Sequence, residues 1–289
     1  MAWTELYPSS LDDLHAVLNR ISAAGDYVFR GQASASWKHL EPSLHRVLGD
    51  DKETGIQINL ETAAIREFRR HGRSLLRVSE LDYFNLILGS ITLMQHYGAL
   101  TRLLDWTLSP WVACYFAVRE DHDDAAIWAF NRSALDQANH APGLSRSPDF
   151  ITFRKLLSAA TLEDWAWYTQ RSGPYIEMFR YEYANAQMGA QQSLFTICGK
   201  LLHHDEALQR FLPEPWQTVR VIVPKAHKRD LRHQLFRMNV GALNLFPSMD
   251  GVGRHISEAL LSGFPLGDEG LVWKLAASAR RRKPAPGER

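Results

Sequence analysis

The chemistry-bearing residues fall in three short stretches, and the first is YVFRGQ at residues 27–32. An apolar, strand-like run ends there in Arg30, followed by Gly31 and Gln32. A guanidinium offers five donors in a rigid fork that fits a phosphate or a carboxylate. Gly31 would remove the side chain that blocks close approach of a ligand, and Gln32 would add an amide donor. The same arginine could instead pair with a buried carboxylate to hold a sheet, with Asp105 the partner. The sequence leaves both readings open.

The second stretch, QHYGALTRLLDWTLSPW at 95–111, places His96, Tyr97, Thr101, Arg102, Asp105 and Thr107 just ahead of an apolar helix. A helix N-terminus presents free N–H groups and partial positive charge, so an anion near Ser109 would be stabilised. Arg102 and Asp105, three residues apart, are expected to pair. His96 and Tyr97 are read either as ligand-positioning groups or as satisfied polar residues of a folded loop. The third stretch, NAQMGAQQSLFTI at 185–197, offers Gln187, Gln191 and Gln192 before a strand. Their amides suit a sugar hydroxyl or a base edge, or equally a loop cap. Glu177 and Glu182 are the carboxylates just upstream, and nothing beside either marks it as a general base.

Several chemistries are disfavoured. The chain has no GxGxxG after a strand, no GxxxxGK[ST], no HExxH and no GxSxG. Its His and acidic residues do not recur at ligand spacing along the sequence, and Cys114 and Cys198 stand apart from any CxxC. No metal ligand is therefore assigned, and a nuclease or other metal-dependent hydrolase ranks lowest. Thirty-three Lys+Arg against 32 Asp+Glu leave a formal charge of +1, so no global field points to nucleic acid or an anionic membrane. Arg66, Arg69, Arg70, Arg73 and Arg77 cluster locally but read as a solvated helix face.

These groups need a scaffold to bring them together. With 289 residues and 45% hydrophobic composition, the chain can bury a sizeable core. Helices are expected over 11–24 behind Ser10, over 58–78, over 81–97, from Ser109-Pro110 through WVACYFAVRE, behind Thr161, over 204–211 and 225–239, and over 251–262. Strands are expected at 27–30, 125–130, 175–179, 193–197 and 218–223. Residues 31–50 and 132–150 read as irregular, the latter with short helical pieces. The pattern predicts an α+β fold with a small, mostly antiparallel sheet or sheets flanked by helices. A single domain is expected over 1–265, with an extension and basic tail over 266–289. No apolar run approaches the ~20 residues of a membrane span and no signal peptide is read, so a cytoplasmic protein without a membrane partner is expected.

FRGQ at 29–32, QHYGALTRLLDWTLSPWVACYFAV at 95–118, AQQSLFTI at 190–197 and NVGALNLFPSMDGVGRHI at 239–256 together resemble the FRG domain, a prokaryotic family named for its Phe-Arg-Gly motif. Ser193 departs from the small glycine usual after the glutamine pair. The resemblance implies a role in toxin or antiphage defence systems, with an antitoxin or defence-system partner. A more distant resemblance is to the ADP-ribosyltransferase fold, in which a first strand supplies an NAD-holding Arg, a second precedes a helix, and a third carries a catalytic Glu. It implies an ADP-ribosyltransferase-like core with NAD as the nucleotide ligand and substrate, and a macromolecular acceptor. Arg30, Gly31, Gln32, Tyr97, Thr101, Arg102, Asp105 and Thr107 would bind the ligand, and His96, Gln191 and Gln192 would stand at the catalytic positions. An amide there can bind a ribose hydroxyl but cannot take up a proton as a carboxylate does. A non-catalytic nucleotide- or nucleic-acid-sensing module is the alternative.

Overall fold

Val28, Phe29, Ala126 to Phe130 and Val219 to Val223 are buried on both sides of their strands, which marks them as the centre of a sheet covered on two faces. In the computed structural model, which describes residues 3–49, 52–121, 123–180 and 186–264, they do form that centre. The strands are β1 (Thr4–Leu6), β2 (Tyr27–Gln32), β3 (Leu104–Thr107), β4 (Ala125–Asn131), β5 (Ile176–Phe179), β6 (Ser193–Cys198) and β7 (Thr218–Val223). They make one seven-stranded sheet in the order β1-β7-β4-β2-β3-β6-β5. β1 runs parallel to β7, and the other strand pairings among the described residues are antiparallel. The α+β class and a mostly antiparallel sheet flanked by helices are therefore as expected, in one seven-stranded sheet.

The principal helices are α1 (Leu11–Ala24), α2 (Ser43–Leu48), α3 (Thr54–Gly72), α4 (Ile87–His96), α5 (Pro110–Ala117), α6 (Arg132–Asn139), α7 (Pro148–Leu157), α8 (Leu162–Arg171), α9 (His204–Phe211), α10 (Lys225–Arg237) and α11 (Met249–Ser262). Shorter helical turns link several of them. The expected caps form. Ser10 accepts from the Asp13 N–H at 3.1 Å, Thr161 from Asp164 at 3.0 Å, and Ser109 from Val112 with Pro110 in the first turn. Each cap of this kind stabilises its helix by about 1 kcal/mol.

On one face, α1, α5 and α10 pack Leu18, Ala113 and Leu231 against Phe29, Ile127 and Val221. On the other, α6 and α9 pack Leu135 and Leu208 against Val28, Trp106 and Trp128. A third cluster joins α3, α4, α7 and α8 to β6 through Ile65, Ile91, Phe153, Trp165, Phe195 and Ile197. Strand alternation explains the split on β6, because Leu194 faces the second cluster while Phe195 faces the third.

Some expected elements shift. The helix expected over 58–78 spans Thr54–Gly72, and the one over 81–97 breaks into Val78–Leu81, a 3₁₀ turn and α4. The irregular segments 31–50 and 132–150 contain α2, α6 and the start of α7, while β1 and β3 are added strands. The arginine-rich face belongs mainly to α3, where Arg69 donates to the Phe84 carbonyl at 2.7 Å and Arg70 lies 3.1 Å from Glu67. Glu182 and the tail over 266–289 lie outside the described residues. Among the described residues no helix is long and apolar enough to cross a membrane.

Candidate functional site

β2 and β3 are neighbours, yet their register contains a single opposed pair, Phe29 with Thr107, whereas β2 and β4 share six pairs from Tyr27–Asn131 to Gln32–Ala126. One residue beyond that single pair, Arg30 sends Nη1 to the carbonyl of Asp105 at 2.8 Å. A side chain bridges the two strands where a ladder would have continued. The splay opens a cleft of about 380 Å³ beside it.

Arg30, Gly31, Gln32, Asp105, Thr107 and Gln191 line this cleft, so parts of all three sequence stretches meet there. The Asp105 carboxylate lies 3.9 Å from Arg30 Nη1 and accepts from Gln95 Nε2 at 2.7 Å. Thr107 Oγ1 donates to the Gln191 carbonyl at 2.7 Å and accepts from the Ser109 N–H at 3.1 Å. Gln191 in turn donates its amide to the Leu245 carbonyl at 3.0 Å. Burial holds the Arg30 pKa below the usual arginine value, with Asp105 opposing the shift and Arg46 adding to it. Its Nε is buried without a hydrogen-bond partner among the described residues. Arg30 thus leans on the Asp105 backbone, with the half-exposed Asp105 carboxylate near it, and lines a cavity.

Two other cleft residues are tied to the fold. Gln32 accepts from the Trp128 indole at 2.6 Å and donates to the His39 carbonyl at 3.0 Å, so its amide is already occupied at both ends. Gly31 does not make room for a ligand as expected. A Cβ there would lie 2.0 Å from the Ala113 carbonyl oxygen and 2.6 Å from the Ala117 nitrogen, so its missing side chain admits α5.

The remaining candidates do not line the cleft. Arg102 does not pair with Asp105. It is 2% exposed and its Nε donates to Glu61 at 2.6 Å, with Nη2 on the second Glu61 oxygen and Trp165 under the guanidinium. Thr101 is buried and donates to Gln95 at 2.5 Å, acting on the cleft only through that amide. Tyr97 donates to Glu80 at 2.9 Å, and His96 stands against the Tyr97 ring. Burial lowers the His96 pKa while Glu80 raises it. Gln192 takes a positive φ of 49° and its carbonyl accepts from the Leu108 N–H at 3.3 Å, a turn role. Glu177, on β5, pairs with Arg154 of α7.

Sequence reasoning missed Trp37, Glu41, Arg46, Gln95, Arg119 and Phe246, all of which line the cleft. Gln95 opens the second stretch, and Phe246 lies in the late NVGALNLFP block; both offered a signal. Sequence spacing also assigned no metal ligands, but folding brings His39, His203 and Asp205 together, and likewise Glu41, His45 and His203, with donor atoms inside 4.8 Å in each group. Residues around 40 and 203 meet only through tertiary packing, which linear spacing cannot register.

The cleft carries Arg30, Arg46 and Arg119 against Glu41, Asp105 and Glu120, so its formal charges cancel. Trp37, Phe116 and Phe246 supply aromatic surface beside them. Such a lining suits a ligand that is anionic at one end and rich in hydroxyls at the other, since arginines hold phosphates and carboxylates accept from sugar hydroxyls. It does not suit a long polyanion.

Residues 25–126, about a third of the chain, match the family model of the FRG domain. The matched segment carries Arg30, Asp105 and Thr107 but not Gln191, so the similarity to the FRG domain covers two of the three stretches. No curated protein and no solved structure matches the chain.

Proposed function

We propose that the cleft binds a nucleotide carrying a pyrophosphate, with NAD the first candidate, and that the protein is an ADP-ribosyltransferase-like effector of a toxin or antiphage defence system. The observation that carries this reading is the Arg30 guanidinium, desolvated at the splayed junction of β2 and β3 and facing a cleft with balanced charge and aromatic walls. In this reading Arg30 and Arg46 take the phosphates, and Asp105, held in place by Gln95, stands beside the ribose. The bond from ribose C1′ to nicotinamide breaks with its electron pair leaving on nicotinamide. An acceptor nucleophile then bonds to C1′ and gives its proton to a carboxylate of the cleft, Asp105 being the candidate.

A second reading, nucleotide binding without turnover, draws on Gln191. Its amide is committed to the Leu245 carbonyl and Gln192 lies outside the lining, so the third stretch brings no carboxylate to the site. Calorimetric titration of NAD into the wild type and Arg30→Ala, with nicotinamide release followed chromatographically, separates the readings. A charge-assisted contact of about 1.5–3 kcal/mol makes the expected loss in Arg30→Ala roughly ten- to a hundredfold. Binding with nicotinamide release supports transfer, and binding without release supports the sensing module. Absence of binding at millimolar NAD refutes the transfer reading.

A further inference from the structure

At the edge of the cleft the fold gathers three imidazoles and two carboxylates from distant segments. His39 and Glu41 come from the loop after β2, His45 from α2, and His203 and Asp205 from the start of α9. We propose that Glu41, His45 and His203 form a binding site for a divalent transition-metal ion of the zinc class. This inference does not rest on the nucleotide reading.

The donor atoms already approximate a coordination triangle. Glu41 Oε1 lies 2.8 Å from His45 Nδ1 and 3.7 Å from His203 Nε2. Ligand bonds of about 2.0–2.1 Å in a tetrahedral zinc site put neighbouring ligand atoms roughly 3.3 Å apart, so the two observed separations bracket the required one. Two imidazoles and one carboxylate suit zinc and its neighbours, whereas magnesium and calcium take shells of oxygen. Three protein ligands also leave a coordination position for water or substrate, the pattern of reactive rather than purely structural zinc sites. Glu41 lines the Arg30 cleft as well, so the ion would act on that cleft's contents.

The surroundings hold the triangle in place. His45 is 1% exposed. His39 stacks on His203 with ring centres 4.3 Å apart, and its Nδ1 is fixed 3.0 Å from Asp205 Oδ2. The Leu40 N–H donates to Asp205 Oδ1 at 2.8 Å, while the Leu40 carbonyl accepts from the His204 N–H at 2.9 Å. This two-way clamp ties the segment carrying Glu41 to the turn carrying His203, the kind of outer support that orients metal ligands. The neighbouring triplet His39, His203 and Asp205 is the weaker candidate, because both Asp205 oxygens are already engaged.

The test uses full-length protein stripped with a chelator and titrated with zinc chloride against a chromophoric competitor. One ion per chain is expected, with affinity reduced at least about tenfold in Glu41→Gln and in His203→Ala. His140→Ala, whose ring lies beside Asp136, is expected to match the wild type. Far-UV circular dichroism checks that the variants fold. Cobalt(II) loading of the wild type supplies a readout independent of any variant, the visible absorption of a tetrahedral site. No tetrahedral cobalt spectrum, or a zinc affinity left unchanged by both ligand substitutions, would overturn the proposal. So would loss in His39→Ala with retention in His45→Gln, which would move the ion to the neighbouring triplet.

Discussion

Arg102 and Arg30 flank the same strand junction in opposite settings, one sealed against a buried carboxylate and one lining a cleft, and Glu61→Gln perturbs only the first. Arg102 and Glu61 are both nearly sealed from solvent, at 2% and 4% exposure. The guanidinium engages both carboxylate oxygens, its Nη1 reaches the Cys198 and Gly199 carbonyls at 3.3 and 3.4 Å, and the Trp165 indole donates to Glu61 at 3.1 Å. Removing one partner of such a pair leaves a buried charge without compensation and costs about 3–5 kcal/mol. The amide of Glu61→Gln keeps an acceptor for the guanidinium, which places this variant near 3 kcal/mol. Large domains lose roughly 2 °C in Tm per kcal/mol, so a fall of roughly 6 °C is expected, and a larger one for Glu61→Ala. Replacing both residues by apolar ones, as in Glu61→Leu with Arg102→Met, should recover much of the loss, because the charges leave together. Thermal unfolding followed by tryptophan fluorescence gives the Tm, and NAD titration well below it gives the binding. A Tm change under about 2 °C in Glu61→Gln, or an Arg102→Met variant of native Tm that no longer binds ligand, would refute the assignment of Arg102 to the core.

Two further predictions follow from the same contacts. Gly31→Ala drives a methyl into the α5 backbone and should destabilise by about 1–3 kcal/mol or more while also weakening ligand binding, measured by urea unfolding and titration. His204 is buried with Nδ1 2.8 Å from Thr196 Oγ1, and burial, followed by the charge of Arg30, lowers its pKa to about 3. With a folded pKa below the unfolded value near 6.5, the unfolded chain binds the proton first. His204 therefore contributes stability that is fully present above about pH 6.5 and lost as pH falls towards 3, at up to about 1.4 kcal/mol per pH unit. His204→Gln should flatten that slope between pH 7 and 5 in urea-unfolding measurements, and an unchanged slope would exclude His204 as its source.

The central sheet was legible because its strands are buried on both faces: AAIWAF is an unbroken apolar run, and TVRVIV is broken inside only by Arg220. β3 has four residues and follows a polar stretch, and β1 has three at the sheet edge, too few for a period to emerge. α7 was hidden because Pro148 starts it inside a stretch already rich in turn residues. The same logic governs the site. Arg30 was legible because a charge at the end of an apolar strand is conspicuous. The partner of Arg102 was not, because Asp105 is three residues away in sequence while Glu61 is brought in by α3. The His39–Asp205 and Glu41–His203 contacts join segments more than 150 residues apart, and no local pattern encodes them.

The contrast between the two arginines also explains why the cleft lies where it does. Arg102 precedes β3 and turns into the gap beside α3 and α8, where Glu61 and Trp165 neutralise and cover it. Arg30 stands on β2 just past the last opposed pair, and its carboxylate partner remains half exposed and is shared with Gln95. A guanidinium fully satisfied by a buried carboxylate has no donors left for a ligand, whereas one that spends a single N–H on a backbone carbonyl keeps its fork available. Gly31 completes the arrangement by letting α5 lie directly on β2, and Phe116 of that helix and Arg119 just beyond it line the cleft. The site thus depends on an interrupted ladder and a close helix together: continued pairing of β2 with β3 would fill the gap with backbone, and a side chain at position 31 would push the far wall away.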